Sequence, residues 1–248
     1  MIANMNYEAV RIADVDLQVG FGWGNLGLVD HFPRAEGNPS VTLIINIGYS
    51  LDGSPIKPVY LEGKMTITIG DDFGINRFNV VRHMGYLAGD VSEKYRFVHA
   101  AGINIGGKGV LLIGNSGNGK STLASLLDGA LLDEDQVMVS PTEMRRITTF
   151  GRRINKESEV VEWVRDDNSQ SPIHYVFLLD NRYEPDHVVQ TSPEAVRPEA
   201  TFDDKLHPLL LERYRRRMPL LFEAPVFEIG TKREPTETKR RIEEIVSQ

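Results

Sequence analysis

Apolar positions fall into two regimes along the chain. Up to about residue 95 they alternate with polar residues or gather in short β-branched runs, as in "SVTLIINIGYS" (40–50) and "KMTITIG" (64–70). Clusters such as "LDGSP" and "GDDFG" punctuate these runs. Branched side chains fit a pleated surface and Gly, Pro and Asp turn the chain, so the region reads as strands joined by turns. The exception is "NRFNVVRHMGYLAGD" (76–90), where Phe78, Val81 and Tyr86 can share one helical face, and a short helix is expected there.

From Phe97 the pattern changes. "FVHAAGINI", a "GGKG" turn and "VLLIG" read as two strands in a hairpin. "KSTLASLLDG" reads as a helix with Leu123, Leu126 and Leu127 on one side, ending near Gly129, and "ALLDEDQVMV" returns to strand. Strand, glycine loop, helix and strand make a βαβ unit, which places this section among α/β folds. Further on, "IHYVFLLD" and "APVFEIG" read as strands and "DDKLHPLLLERYRRRM" as a helix capped or broken by Pro208. "EPTETKRRIEEIVSQ" reads as an amphipathic helix with Ile242, Ile245 and Val246 as its stripe. The expectation is a β-rich region over 1–95, separate or part of the same domain, and an α/β core over 96–248 with a C-terminal helix.

Composition narrows the function classes. At 248 residues the chain suits one large domain or two modest ones, and 41% apolar with 25% charged residues is ordinary for a globular protein. A diffuse net charge of −7 argues against nucleic acid as a partner. The one dense basic run, "ERYRRRM" (212–218), reads either as the solvated face of a helix or as a phosphate-binding patch. With no cysteine, disulfides, thiolate catalysis and zinc–thiolate sites are excluded. The N-terminus lacks a signal-peptide pattern, and no apolar run approaches the ~20 residues that span a bilayer. A soluble, cytoplasmic protein with no membrane partner is expected.

"GNSGNGKST" is the strongest chemical signal. Gly114, Asn115, Ser116, Gly117, Asn118, Gly119, Lys120, Ser121 and Thr122 fit the pattern G-x-x-x-x-G-K-[ST], between an apolar strand and a helix. Glycines let backbone N–H groups converge on phosphate oxygens. Lys120 is placed to reach the terminal phosphates and the Ser121 hydroxyl to bind Mg²⁺, so a nucleotide is the expected ligand. Such a site also needs a carboxylate on a neighbouring strand, and Asp133, Glu134 and Asp135 supply three in a row. Alternation along a strand would put Asp133 and Asp135 on one face and Glu134 on the other, although a strand end can relax it. One acid binding the metal while its neighbour takes a proton is a kinase arrangement. His99, fifteen residues before Gly114, approaches the mouth of the loop if its strand pairs antiparallel with "VLLIG". It reads either as a packed core residue or as a participant.

Together, "VHAAGINIGGKGVLLIGNSGNGKSTLASLL" and "LLDEDQVMV" resemble the kinase core of the HPr kinase/phosphorylase family, within the group that includes phosphoenolpyruvate carboxykinases. The resemblance covers Phe97 to Val139. It implies a P-loop kinase core and a histidine, His99, that assists phosphoryl transfer or ligates the metal. Lys120 and Ser121 correspond to the phosphate and Mg²⁺ ligands. Glu134 corresponds to the family's general base, where the family has Asp, and Asp135 to a metal ligand; Asp133 competes with Glu134 as the base. The short spacing from Lys120 to the acids is more like that of carboxykinases, but the chain is shorter than a carboxykinase. Arg145, Arg146, Arg152 and Arg153 lie where a phosphate- or acid-binding arginine is wanted, or are solvated charges. The implied activity is Mg²⁺-dependent (or Mn²⁺-dependent) transfer from ATP, ADP or pyrophosphate to a hydroxyl on a small metabolite or a protein Ser/Thr, by an enzyme that self-associates. The alternatives are an NTPase switch, with Gln136 positioning water, and carboxykinase-like activity.

Overall fold

A computed structural model describes residues 6–21, 32–35, 37–39, 41–47, 59–61, 64–69, 73–148, 151–155, 160–164, 169–196, 212, 216, 221–232 and 234–248. Its elements are of mixed α/β character, with strands in four sheets and three α-helices among the described residues.

The sheet that positions the site has six strands. In chain order they are β7 (Ala100–Ile105), β8 (Lys108–Ile113), β9 (Ala130–Asp133), β15 (Tyr175–Asp180), β16 (Val188–Thr191) and β17 (Val226–Gly230). Across the sheet the order is β16-β17-β15-β8-β7-β9. β7 and β8 are the expected hairpin, turning at Gly106 and Gly107, whose φ of 56° and 88° are left-handed. β15 lies parallel to β8 and to β17. β9 pairs antiparallel with β7 and so runs in the direction of β8 with β7 between them. The expected crossover therefore exists, with one strand inserted between its arms.

Both faces of this sheet are covered, which is why "GVLLI" and "YVFLL" read as unbroken apolar runs. Val110, Leu112, Phe177 and Leu179 pack on one side with Leu123 and Leu127 of α2 (Lys120–Leu126 and the residue after it) and with Ile242 and Val246 of α3 (Pro235–Val246). Leu111, Ile113 and Val176 pack on the other with Val98, Leu132, Val137 and Met144. Each of these fully buried side chains contributes roughly 1.5–3 kcal/mol relative to exposure. Leu126, expected on the buried side of α2, is 38% exposed, because the helix stops at that residue and leaves it on the rim. Ile242 and Val246 form the buried stripe of α3 as expected, with Ile245 partly buried.

β1 (Asn6–Ile12), β2 (Val15–Phe21), β3 (Val41–Ile47), β4 (Val59–Leu61) and β5 (Lys64–Ile69) form a sheet in the order β1-β2-β3-β5-β4. Its Val10, Ile12, Leu17, Val19 and Val41 cluster with Met84, Leu87 and Ala88 of α1 (Phe73–Val91). This helix has nineteen residues, longer than the short one expected. Val81, Met84, Leu87 and Ala88 carry its apolar stripe at three- and four-residue spacing, which two internal glycines do not break. Tyr86 and Phe97 pack with ring centroids 4.3 Å apart, tying α1 to β6 (Arg96–Val98).

β6 belongs to a four-stranded sheet with β10 (Val137–Val139), β11 (Glu143–Arg146) and β14 (Gln170–Pro172). β12 (Gly151–Asn155) and β13 (Val160–Val164) form a separate hairpin. The expected helix at 203–218 lies outside the described residues except for Glu212 and Arg216. Those two are helical and form an exposed pair at 2.5 Å. No helix among the described residues is long and apolar enough to cross a membrane.

Candidate functional site

β8 delivers the chain to Gly114 at the carboxyl end of the sheet, where ligands gather in open α/β folds. Ile113 pairs with Leu178 of β15 on one side and Ala100 of β7 on the other. The loop that follows is fastened at several points. The Asn118 N–H donates to the Asn115 carbonyl at 3.1 Å, and Asn118 Nδ2 donates to Leu179 O at 2.5 Å. Gly117 and Gly119 have φ of 89° and 86°, a backbone that costs other residues about 1–2 kcal/mol and from which anion-binding concavities are built. α2 begins at Lys120, with the Leu123 N–H donating to Gly119 O at 2.8 Å. Lys120 folds back over the loop. Its Nζ donates to Gly114 O at 2.6 Å and to Asn115 O at 3.1 Å, and the residue is 5% exposed. Asn115, Ser116 and Gly117 are exposed, while Ser121 and Thr122 are half-buried at the start of α2.

The acidic triplet does not continue the strand. β9 ends at Asp133 and the chain turns through Glu134 and Asp135 before entering β10 in the four-stranded sheet. Asp133 builds the turn: its Oδ1 accepts the N–H of Asp135 at 3.1 Å and of Gln136 at 2.9 Å. An aspartate that hydrogen-bonds the backbone two and three residues on is the usual device for such a reversal, and it relaxes the expected alternation. All three acids are withdrawn from water, at 0%, 2% and 6% exposure in chain order. Asp133→Asn preserves the Oδ1 acceptor and should cost less stability than Asp133→Ala. Asp133→Ala strands two buried N–H groups and should cost about 1–3 kcal/mol in chemical denaturation.

Asp135 is brought directly to His99. The Nε2 of His99 lies 2.5 Å from one Asp135 oxygen, and Nη2 of Arg82 lies 3.1 Å from the other. His99 occupies the one-residue break between β6 and β7, just outside the expected strand. The Ala100 N–H donates to the Asp135 carbonyl, and Ala100 pairs with Ile113. His99, Asp135 and the start of the loop thus share the same end of β7, β9 and β8, across roughly 10 Å of sheet. Sequence reasoning missed Arg82, which reaches the acids from α1, 53 positions away. Only the apolar side of that helix left a periodic signal.

The other candidate arginines lie on β11 and β12. Arg145 pairs with Glu143 at 3.0 Å and lies over the Tyr95 ring. Arg146 is 8% exposed in β11, opposite Val137. Arg152 and Arg153 belong to β12.

On the β15 side the loop borders a cavity of about 450 Å³. Gly114, Asn115 and Asn118 line it from the loop, with Asp180 of β15, Arg182 in the turn after it and Glu228 of β17. Arg182 Nη2 lies 2.5 Å from Asp180 Oδ2 and Nε lies 3.0 Å from each carboxylate oxygen, while the Arg182 N–H donates to Oδ1. The Arg182 side-chain hydrogen bonds hold the Asp180 carboxyl below its usual range. An acid closing a buried parallel strand was the available signal for Asp180. Glu228 and Arg182 carried none.

Among the described residues no group of three or more His, Asp or Glu side chains could hold a metal ion by itself. Mg²⁺ commonly takes one or two protein oxygens and fills its shell with phosphate oxygens and water. The Ser121 hydroxyl and the Asp135 carboxylate are donors of that kind, and Asp135 is held by His99 on one oxygen and by Arg82 on the other. His99 presents Nε2 to Asp135, so that nitrogen is already engaged.

No protein-family model matches the chain, and neither does any curated protein. Among solved structures, the HPr(Ser) kinase/phosphatase from Coxiella burnetii is a weak structural neighbour. It is 15% identical with a TM-score of 0.40, over 61% of this chain and 98% of that one.

Proposed function

We propose that the chain is a nucleotide- and Mg²⁺-dependent phosphotransferase of the HPr kinase/carboxykinase type, acting on a hydroxyl acceptor. The observation that carries this reading is the meeting, at one end of three adjacent strands, of the fastened glycine loop with Lys120 and the His99–Asp135 pair. The donor's phosphates lie along Gly114–Thr122. Lys120 exchanges the Gly114 and Asn115 carbonyls for phosphate oxygens, a short movement because its ammonium already rests on the loop. Ser121 and Asp135 hold Mg²⁺, which neutralises phosphate charge when bound. His99 and Arg82 fix the Asp135 carboxylate. Glu134 accepts the acceptor's hydroxyl proton as the new P–O bond forms and the bond to the leaving phosphate breaks.

Glu134→Gln separates binding from chemistry. Calorimetry should give a nucleotide affinity within about threefold of the parent, and turnover should fall by roughly 10²–10⁴. Unchanged turnover would remove Glu134 as the base, and loss in Asp133→Asn instead would transfer the role to its neighbour.

A further inference from the structure

The cavity on the β15 side of the loop is not used by the chemistry above. We propose that it receives the nucleoside of the phosphoryl donor, with Glu228 as the acceptor for the ribose hydroxyls. The inference rests on the proposed phosphotransferase reading and decides among its possible donors: a nucleotide rather than pyrophosphate.

Position carries the first part. In-line displacement sets the attacking and leaving oxygens on opposite sides of the migrating phosphorus. The acids and His99 flank the loop from β7 and β9, and the cavity flanks it from β15 and β17. A hydroxyl approaching from the acid side therefore expels a leaving group toward the cavity. The volume of about 450 Å³ lies within the ~300–1,000 Å³ range of small-molecule pockets.

Chemistry carries the second part. Carboxylates at the rim repel phosphate but accept hydrogen bonds from neutral hydroxyls. Asp180 is saturated by Arg182, as described above. Glu228 is not: Oε1 meets His187 Nε2 at 2.9 Å, and Oε2 has no hydrogen-bond partner among the described residues. His187 is itself braced by the Tyr183 ring, 4.1 Å away and nearly parallel, so Glu228 is held in place. Asn115 presents an exposed side-chain amide at the loop edge of the cavity, and Ala195 lines it with a small side chain.

Calorimetric titrations with ATP, 2′,3′-dideoxy-ATP and tripolyphosphate, each with Mg²⁺, test this. In the wild-type protein ATP should bind about 30-fold more tightly than the dideoxy nucleotide. Glu228→Gln should reduce that ratio to about threefold or less while tripolyphosphate affinity stays the same. Ala195→Phe, which fills the cavity from an already half-exposed turn, should weaken ATP at least tenfold and spare tripolyphosphate. Equal binding of all three ligands, unaffected by either substitution, would overturn the nucleoside site and leave the phosphate loop standing. If none binds, the phosphotransferase reading falls and this proposal with it.

Discussion

Lys120→Ala should reduce phosphoryl transfer by about 10³-fold while the protein stays folded, its melting temperature falling by no more than about 8 °C. The two halves of this expectation come from the same geometry. Nζ bonds the Gly114 and Asn115 carbonyls, so the ammonium sits within the loop's own curve. An alanine keeps the helix and loses the charge. The loop itself is fastened independently, through Asn118 to Asn115 and Leu179. A transition state that spreads negative charge over phosphate oxygens loses its nearest fixed cation, and no other lysine lies in the loop to replace it. Steady-state kinetics beside a thermal melt checks both halves. A variant that unfolds would mean that Lys120 is chiefly a structural clamp, and one that retains activity would remove the loop from the chemistry.

The largest stability effect is expected at Gly109, the second residue of β8. A Cβ there would lie 1.8 Å from the Pro172 carbonyl oxygen and 2.6 Å from Ser171 Oγ. The approach is close because the Gly109 N–H donates to His174 Nδ1 at 2.9 Å while the His174 N–H donates back to Gly109 O at 2.8 Å. This is a seam between the six-stranded sheet and β14 of the four-stranded one, and backbone must move to admit a methyl group. Gly109→Ala should cost about 3 kcal/mol or more in urea denaturation. The melting temperature should fall by roughly 6–12 °C. Gly107→Ala gives the contrast. Among the described residues its Cβ would meet nothing within 4 Å, so the left-handed φ of 88° carries the penalty, about 1–2 kcal/mol. Equal losses at the two positions would contradict the steric account.

The parts legible in the sequence are those whose signal is local. An apolar run before a glycine loop and leucines after it marked β8 and α2, and "GGKG" marked the hairpin. The stripe of α3 is the usual helical repeat. What stayed hidden depends on pairing across distance. Nothing near Asp135 announces Arg82, and nothing near Ile113 announces that Leu178 will pair beside it. The acids looked like part of a strand because their neighbours are β-forming. The Asp133 carboxylate, by bonding two successive N–H groups, turns the chain instead. Leu126 fitted the helical repeat and is exposed because the repeat says nothing about where the cover ends. The 450 Å³ cavity draws on residues from 113 to 228, so no single window of sequence contains it.

The central claim is that a phosphoryl group is passed from this loop to a hydroxyl. The most direct measurement is incubation of the protein and Mg²⁺ with γ-labelled ATP and pooled hydroxyl metabolites and proteins, followed by separation of the labelled products. The account predicts label on an acceptor hydroxyl, absent without Mg²⁺ and absent in Lys120→Ala. Label released only as free phosphate would contradict it and favour a hydrolytic switch.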